Sequence, residues 1–402
     1  MTHLILNLKR ATVIICGLAL ITIFNIKSAA AQNKEQGKIH IGFIYPISTN
    51  GSNAASDTNI LSLHMLAGVS AEEKGLAFSG FTNVVRNNTH GLLVAGFSNH
   101  VGKQVAGTAF AGFANTYRTA RGLQAAGFTN IAIDSIQGVQ LSGFFNKAGN
   151  VKGLQGAGFA NLSKEIKGSQ FAGFANVASG VQGSQFAGFA NVSGKAVSGS
   201  QFSGFANVAA DVSGSQLSGF INVARKVKGT QLGFINLADS SDHPIGIINI
   251  SKKGEKSLGF QADETQTMLL TFRSGGKSLY GIIGAGYNFK LGRDEHTYAY
   301  ELGLGAHLLR AQSFRLNTEI SQQYLEDFHR GYYFKTTLRL MPSLKLGKVV
   351  ELFGGPSLNF VNTNTFKGRD LVDRYLWERN NRWNSGSHGL YLGYLAGINF
   401  HI

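Results

Sequence analysis

The chain contains one cysteine, four prolines and two tryptophans in 402 residues. Its single cysteine, Cys16, excludes an intrachain disulfide and lies in a segment that we expect to be removed. No proline falls between residues 47 and 243, although this stretch is rich in Gly and Phe. A disordered linker rarely combines so little proline with so much aromatic residue, so we expect ordered β-structure there.

The first 31 residues have the features of a secretory signal peptide. Lys9 and Arg10 precede an uncharged apolar run, and a triplet of alanines ends at Ala31. A short apolar run followed by small residues predicts cleavage after export, which places the mature chain in the cell envelope. A single uncleaved anchor is the alternative.

The 37 Lys and Arg residues outnumber the 22 Asp and Glu residues, which gives a formal net charge of +15. Loss of residues 1–31 removes Lys9, Arg10 and Lys27 but no acid, and therefore leaves +12. We see no basic cluster with interleaved aromatic residues, so nucleic acid is not an expected partner. Outer-membrane lipid is the expected partner, with envelope polysaccharide, peptidoglycan or another surface protein as further candidates.

A tetrad, Gly-x-x-Asn, occurs twelve times between Asn83 and Asn249, at intervals of 13 to 16 residues. Phe follows the glycine in eleven copies, and in seven copies a Gln stands three residues before the glycine. Such regularity predicts a repeat architecture and carries no information about activity. The positions that define the central units are Phe159, Asn161, Phe174, Asn176, Phe189, Asn191, Phe205, Asn207, Phe220 and Asn222.

Each repeat has an apolar part and a short, variable, charged part that indicates a turn. Alternation places Gln170, Ala172, Phe174 and Asn176 on one face of a strand. In a β-solenoid, equivalent residues would stack, and each Phe buried between coils would contribute roughly 1.5–3 kcal/mol. We prefer this to an antiparallel meander because a solenoid places all turns in one environment. The amides then form ladders inside the stack, with sugar-binding rows as the alternative.

Residues 32–75 are interpreted as an N-terminal cap segment, residues 76–254 as the repeat array and residues 255–402 as a barrel. The last region alternates apolar and polar residues over eight strands, and its connections alternate between short and long. This pattern is typical of an antiparallel outer-membrane β-barrel. Its polar face is expected to pair inside the barrel, through Glu301, Glu319, Glu351, Arg315, Lys335 and Arg339.

A soluble β-sandwich or a lipocalin-like barrel with an apolar interior is the alternative for residues 255–402. The side of the membrane that holds the repeats also stays open at this point. If all eight strands span, the array lies with the short turns in the periplasm. If the weak strand at 256–262 does not span, the array lies outside.

Serial Gly-x-Gln-x-x-Gly-Phe-x-Asn units, the opening GFIYPISTNG and LAGVS, and the closing HPIGIINI carry a resemblance. Over about residues 41–275, the chain resembles the bacterial surface-repeat family of the leptospiral type, which is seen in outer-membrane proteins. Usual members have one residue fewer between Gln and Gly-Phe, as in GTQLGFIN at 229–236. The resemblance implies surface exposure, and it implies neither an activity nor catalytic residues.

The sequence offers no metal-binding, phosphate-binding or nucleophile motif, so we expect neither an enzyme nor a cofactor. One stretch, residues 366–389, has the Arg and Trp composition of a binding loop. The expected function is an outer-membrane-anchored structural or interaction protein that displays the repeats. A pore or transporter in which the repeats add barrel strands is the alternative. The candidate loop residues are Arg374, Trp377, Arg379, Arg382 and Trp383.

Overall fold

The computed structural model describes residues 37–291, 297–326, 331–380 and 386–402. A β-solenoid of about 13 turns is followed by a closed antiparallel barrel of eight strands, which confirms the predicted architecture. The chain divides into two compact units after Gly156, which we describe separately. The first holds the N-terminal coils; the second holds the remaining coils and the barrel.

Unit 1 consists of parallel strands stacked in register. Asn99 pairs with Asn115, and Asn115 pairs with Asn130, so equivalent repeat positions lie beside each other. A 3-10 helix, Gly51–Ser56, interrupts the first coil. The strands are β1 Lys38–Ile44, β2 Ile47–Ser48, β3 Thr58–Ser70, β4 Glu72–Ser79, β5 Thr82–Val85, β6 Thr89–Ala95, β7 Ser98–Ala111, β8 Ala114–Ala126, β9 Thr129–Ser142, β10 Phe145–Lys147 and β11 Asn150–Ala157.

The segment interpreted as a cap belongs to the same parallel sheet. Strand β1 pairs in parallel with β3, and β3 pairs in parallel with β4 and β5. These coils precede the first Gly-x-x-Asn tetrad, so the solenoid begins before the repeat motif becomes recognisable. Among the described strands of this segment, only β1 and β2 pair in an antiparallel manner.

The coils of unit 2 continue this pattern. The longest match joins Ala160–Ala172 to Ala175–Ala187, fifteen residues on, with Asn161 beside Asn176. Such parallel pairing identifies a solenoid rather than a meander. The strands are β12 Ala160–Ala172, β13 Ala175–Ala187, β14 Ala190–Ser193, β15 Gln201–Ser203, β16 Ala206–Val208, β17 Asp211–Val212, β18 Gln216–Ser218, β19 Ile221–Leu232, β20 Ile235–Ile245 and β21 Ile248–Ser251.

Glycine is required at one position of each coil from Gly91 to Gly183, where φ is positive. Gly168 and Gly183 pair in register and have φ angles of 134° and 140°, which residues with a side chain rarely adopt. A Cβ atom on Gly183 would also collide with the carbonyl oxygen of Gly168. The glycines before the Gln positions therefore permit both the bend and the close approach of coils.

The barrel closes through pairing of its first and last strands, β22 and β30. The repeats therefore contribute no strand to it within the described residues, which removes the basis for the larger-barrel alternative. Its elements are β22 Glu255–Asp263, β23 Thr267–Gly275, β24 Leu279–Asn288, β25 Tyr298–Arg310, β26 Phe314–Glu326, β27 Tyr333–Leu346, β28 Val350–Thr363, α1 Phe366–Asp370, β29 Trp377–Asn380 and β30 Ser387–His401.

The barrel has two different ends. One, the short-turn end, carries connections 276–278, 311–313 and 347–349, together with the start of β22 and the end of β30. The other, the long-loop end, carries the short connection 264–266 and the longer connections 289–297, 327–332 and 364–386. Since β22 follows the last coil directly, the solenoid joins the barrel at the short-turn end.

Candidate functional site: a sealed barrel and an apolar solenoid edge

The outer surface of the barrel is apolar. Leu338 and Leu340 on β27 point outward and are 52% and 44% exposed, whereas the intervening Arg339 is 4% exposed. The same alternation occurs on β26, where Ile320 is exposed and Glu319 is buried. The distribution is the reverse of that in a soluble barrel with an apolar interior, so that alternative does not fit the structure.

The centre of the barrel holds a compact ion network. The Arg273 Nε and Arg339 Nη1 atoms lie 2.9 and 3.2 Å from the Glu319 carboxylate, and Arg339 also binds Glu301. Tyr280 donates a hydrogen bond of 2.9 Å to Glu319. Two arginines thus balance two glutamates, as buried charges require. Glu301, Glu319 and Arg339 were predicted to pair inside the barrel, and they do so, whereas Arg273 was not predicted.

Two further ion clusters lie on either side of this network. Near the short-turn end, Arg315 binds Glu255 at 2.6 Å and lies 3.8 Å from Glu351, a predicted inward residue. On the other side, the predicted Lys335 pairs at 2.5 Å with Asp263. Sequence alternation identified one partner of each pair but missed Glu255 and Asp263, which lie on the weak first strand.

The long-loop end is closed by apolar side chains. Leu371, which follows α1, is 2% exposed and packs in a cluster with Leu269, Leu325, Tyr333 and Tyr391. Lys290 holds this segment by donating a hydrogen bond of 3.0 Å to the Leu371 carbonyl oxygen. With ion pairs across its centre and this cluster at one end, the barrel is sealed within the described residues.

The predicted binding loop lies partly within the described structure. Trp377, at the start of β29, is 49% exposed, and Arg374 and Arg379 are exposed as well. Arg382 and Trp383 lie outside the described residues. Nearby, Arg369 and Glu378 form an ion pair of 2.6 Å that ties α1 to β29. Trp377 and Arg379 share one short strand; no ligand-binding geometry emerges from the described part of this loop.

The solenoid interior is built from amides. In unit 1, Asn99 donates a hydrogen bond of 2.8 Å to Asn115 and another to the Phe110 carbonyl oxygen. In unit 2, Asn176 similarly donates to Asn191 at 3.0 Å and to the Phe186 carbonyl oxygen at 2.7 Å. Because these Asn side chains bond both the neighbouring coil's amide and its backbone, the repeated Asn has a structural role.

A second ladder, of Gln side chains, runs in the opposite direction. Gln185 donates to Gln170 at 2.8 Å, toward the N-terminus, whereas the Asn ladder of unit 2 donates toward the C-terminus. The ladder stops where Pro244 occupies the position beside Gln231, and the buried Gln231 Oε1 accordingly has no hydrogen-bond partner. Opposed amide rows limit the dipole that a single row would accumulate.

The Phe side chains lie outside this interior, contrary to the expectation that they are buried between coils. Phe174 is 42% exposed, although Gln170 and Asn176 are fully buried. The chain bends at residues 173–174, so strand alternation does not continue through the Gly-Phe corner. The equivalent rings of unit 2 stack face to face, with centroids 4.9 to 6.0 Å apart, along Phe159, Phe174, Phe189, Phe205, Phe220 and Phe234.

We call this region of unit 2 the apolar edge. Its tip is the row of six stacked rings just named. A second row of rings, Phe171, Phe186 and Phe202, lies on one face of the edge. The other face carries Val177, Val192 and Val208, which are 36 to 38% exposed. A corresponding stacked row in unit 1 comprises Phe81, Phe97, Phe113, Phe128 and Phe144.

A buried polar cluster distinguishes the first coils. The His64 and His40 rings approach within 3.2 Å, and Ser62 donates a hydrogen bond of 2.7 Å to Glu73. Burial lowers the pKa of His64 to about 4 and also lowers the pKa of His40. Burial raises the pKa of Glu73, whose Oε2 atom has no hydrogen-bond partner. These groups therefore favour their neutral forms.

Across the described ranges, no three His, Cys, Asp or Glu side chains are arranged to hold a metal ion. In the same part of the chain, no helix has the length and apolar character needed to cross a membrane. The chain matches no protein-family model, no curated protein and no solved structure. The surface-repeat resemblance therefore stays a prediction.

Proposed function

We propose that this protein is an outer-membrane-anchored structural or interaction protein, in which a sealed barrel is the anchor and the solenoid is displayed. The observation that carries the proposal is the inverted barrel: leucines such as Leu338 face outward and ion pairs such as Arg339–Glu319 face inward. An exterior of this kind is stable in lipid, where a closed barrel satisfies every backbone group.

The sealed interior supports an anchor rather than a pore. Residues of the central network have side chains that are at most 7% exposed, and apolar residues around Leu371 close the long-loop end. Eight-stranded barrels are generally filled by their own side chains. Planar-bilayer recordings of the purified chain are expected to show no ion conductance above the lipid background.

The connection lengths favour a periplasmic solenoid. In outer-membrane barrels, short turns face the periplasm and long loops face outward. Because the last coil leads into β22 at the short-turn end, the coils lie on the periplasmic side of a barrel with eight spanning strands. This orientation disagrees with the surface exposure that the family resemblance implies, and it makes periplasmic components the first candidates as partners.

Protease shaving of intact cells tests both anchoring and orientation. Epitope tags are inserted at Lys195, in a coil turn, and at Asn381, in the long connection. We expect proteases to remove the Asn381 tag from intact cells and the Lys195 tag only after permeabilisation of the outer membrane. Loss of both tags from intact cells would overturn the periplasmic orientation. Recovery of the full chain in a soluble fraction would overturn the anchor.

A further inference from the structure

The apolar edge is thin and is apolar on both faces. At each corner a single amide spans the two arms: Asn176 donates to the carbonyl oxygens of Gln170 and Phe186, at 3.4 and 2.7 Å. The side chain of Phe171 points outward from one arm, and the side chain of Val177 points outward from the other. The edge is therefore a convex ridge one side chain thick, rather than a flat face or a groove.

The rings of the edge present their C–H rims rather than their faces. Phe159, Phe174 and Phe189 are stacked with interplanar angles of 0° and 1°, so each ring covers the faces of its neighbours. Sugars and cations are bound by free aromatic faces. Ring rims offer only apolar contact, so the matching partner is itself apolar.

The charged residues of the coils occupy one part of the repeat, separate in sequence from the edge residues. Between residues 157 and 254, every charged residue stands three to six positions after a tetrad Asn, whereas edge residues stand from five before to one after it. Eight of these charges are basic and four are acidic: Lys164, Lys167, Lys195, Arg225, Lys226, Lys228, Lys252 and Lys253 against Glu165, Asp211, Asp239 and Asp242. An apolar stripe with a basic polar face is typical of elements that lie in a lipid interface.

The last coil is fixed to the rim of the barrel. The backbone N–H of Asn249, the final member of the Asn ladder, donates a hydrogen bond of 2.9 Å to Ser274 Oγ. Its amide also donates to the Ser274 carbonyl oxygen at 3.2 Å. Ser274 lies near the short-turn end of β23, so the coils of unit 2 are attached where the lipid-facing band of the proposed anchor ends.

We propose that the apolar edge of unit 2 inserts into the lipid surface of the membrane that the barrel spans. Acyl chains contact the Phe rims at the tip, the Phe row on one face and the Val row on the other, and anionic headgroups lie near the Lys and Arg residues. This inference rests on the proposed anchoring function. A fluid layer conforms to a convex ridge, whereas a protein partner, including a second copy of this chain, would need a cleft that encloses both faces.

The test is a site-directed spin-label measurement on the full chain in proteoliposomes that contain anionic lipid. Cys16 is first replaced by serine (Cys16→Ser). Single cysteines introduced into this background then carry the nitroxide label. Phe189→Cys reports on the tip of the edge, Gln182→Cys reports on the exposed polar side, and Leu338→Cys reports on the outer face of the barrel. Accessibility to oxygen, which concentrates in lipid, is compared with accessibility to a water-soluble nickel chelate.

We expect the ratio of oxygen to nickel accessibility at Phe189 to be several-fold higher than at Gln182 and close to the ratio at Leu338. A water-like ratio at Phe189 with a lipid-like ratio at Leu338 would overturn this inference and leave the anchor intact. Low accessibility to both reagents at Phe189 would indicate a protein partner and would equally overturn it. A water-like ratio at Leu338 would instead contradict the anchoring function.

A second label protects the result against misfolding of one variant. Val177→Cys lies on the other face of the same edge, where a smaller side chain is removed and the ring stack is kept. Its ratio is expected to match that at Phe189. Lipid-like values at Phe189 and water-like values at Val177 would contradict insertion of both faces.

Discussion

The solenoid and the barrel both bury polar side chains and expose apolar ones, but they satisfy the buried groups differently. In the solenoid, Asn176 finds its partner in the same residue one coil further on. In the barrel, Arg273 finds Glu319 across the interior, 46 residues away along the chain. The first solution needs only repetition, whereas the second needs a specific set of opposite charges. The two regions should therefore respond differently to substitution.

The largest effect is expected in the barrel. Glu319→Ala leaves Arg273 and Arg339 buried with Glu301 as their remaining carboxylate, so we expect a loss of about 3–5 kcal/mol in the free energy of unfolding. Denaturant unfolding in lipid vesicles measures it. Lys348→Ala, at an exposed turn, serves as control and should change stability by about 0.5 kcal/mol or less. Equal effects of the two substitutions would show that the network contributes no stability.

A smaller and more local effect is expected in the solenoid. Asn176→Ala removes the donor to Asn191 and Phe186 and the acceptor for Asn161, so we expect a loss of about 2–3 kcal/mol. Since coils contact mainly their neighbours, amide hydrogen exchange should speed up in adjacent coils and not in the barrel.

Val177→Ala is the matched control for the ladder, because this neighbouring side chain is 38% exposed. Its effect should stay below about 1 kcal/mol. If both substitutions accelerated exchange equally, or if Asn176→Ala also opened the barrel, the distinction between local and cross-barrel stabilisation would fail.

Acidification should destabilise the first coils more than the rest of the solenoid. The pKa of buried His64 is lowered to about 4, so an unfolded chain binds its proton at a higher pH than the folded chain does. The stability that neutral His64 contributes is complete above about pH 6.5 and is lost as the pH falls toward 4. At pH 5 this loss should reach about 2 kcal/mol for residues 38–79, measured by hydrogen exchange.

Other groups around His64 modify this response. The neighbouring His40 also has a pKa lowered by burial, which adds to the loss, although Asp57 acts in the other direction on His40. The raised pKa of Glu73 opposes the loss of stability on acidification, since the protonated carboxyl contributes stability at low pH. His64→Gln should therefore reduce the difference between pH 7 and pH 5 in the first coils. An unchanged difference would exclude His64 as its source.

The smallest effect is expected at the surface of the coils. Arg225 and Asp211 form an exposed ion pair of 2.5 Å, and the hydrogen bond from Arg225 lowers the pKa of Asp211. Such pairs contribute little because water and salt screen them. In a double-mutant cycle with Arg225→Gln and Asp211→Asn, we expect a coupling within experimental error at physiological salt. A coupling as large as the effect of Asn176→Ala would reverse the ranking.

How far the sequence predicts the structure also differs between the two regions. Repetition alone predicts the solenoid and the ladder through Asn161 and Asn176, because a stacked repeat places like beside like. Alternation alone predicts the inward direction of Glu301 and Arg339. Neither pattern predicts that Phe174 is outside, since a two-residue bend resets the alternation and only the three-dimensional corner shows it.

The closed end of the barrel was also beyond prediction from sequence. Leu371 and Tyr375 stand in a long connection without periodicity, and their burial depends on contacts with Leu325 and Tyr391 from separate strands. Likewise, Asp263 and Glu255 are ordinary polar residues on a weakly patterned strand until closure of the barrel brings Lys335 and Arg315 to them. Contacts between distant segments leave no local signal.

The in-register step of fifteen residues between β12 and β13 has a consequence for how such a chain can change over generations. A duplicated or deleted coil of this length restores the Asn and Gln ladder bonds at the new junction, because the same two amide residues meet there as before. Unequal recombination within the repeats can thus lengthen or shorten the solenoid one coil at a time. The barrel has no such freedom, since loss of one strand would break its closure, so this protein combines a solenoid of adjustable length with a barrel of fixed size.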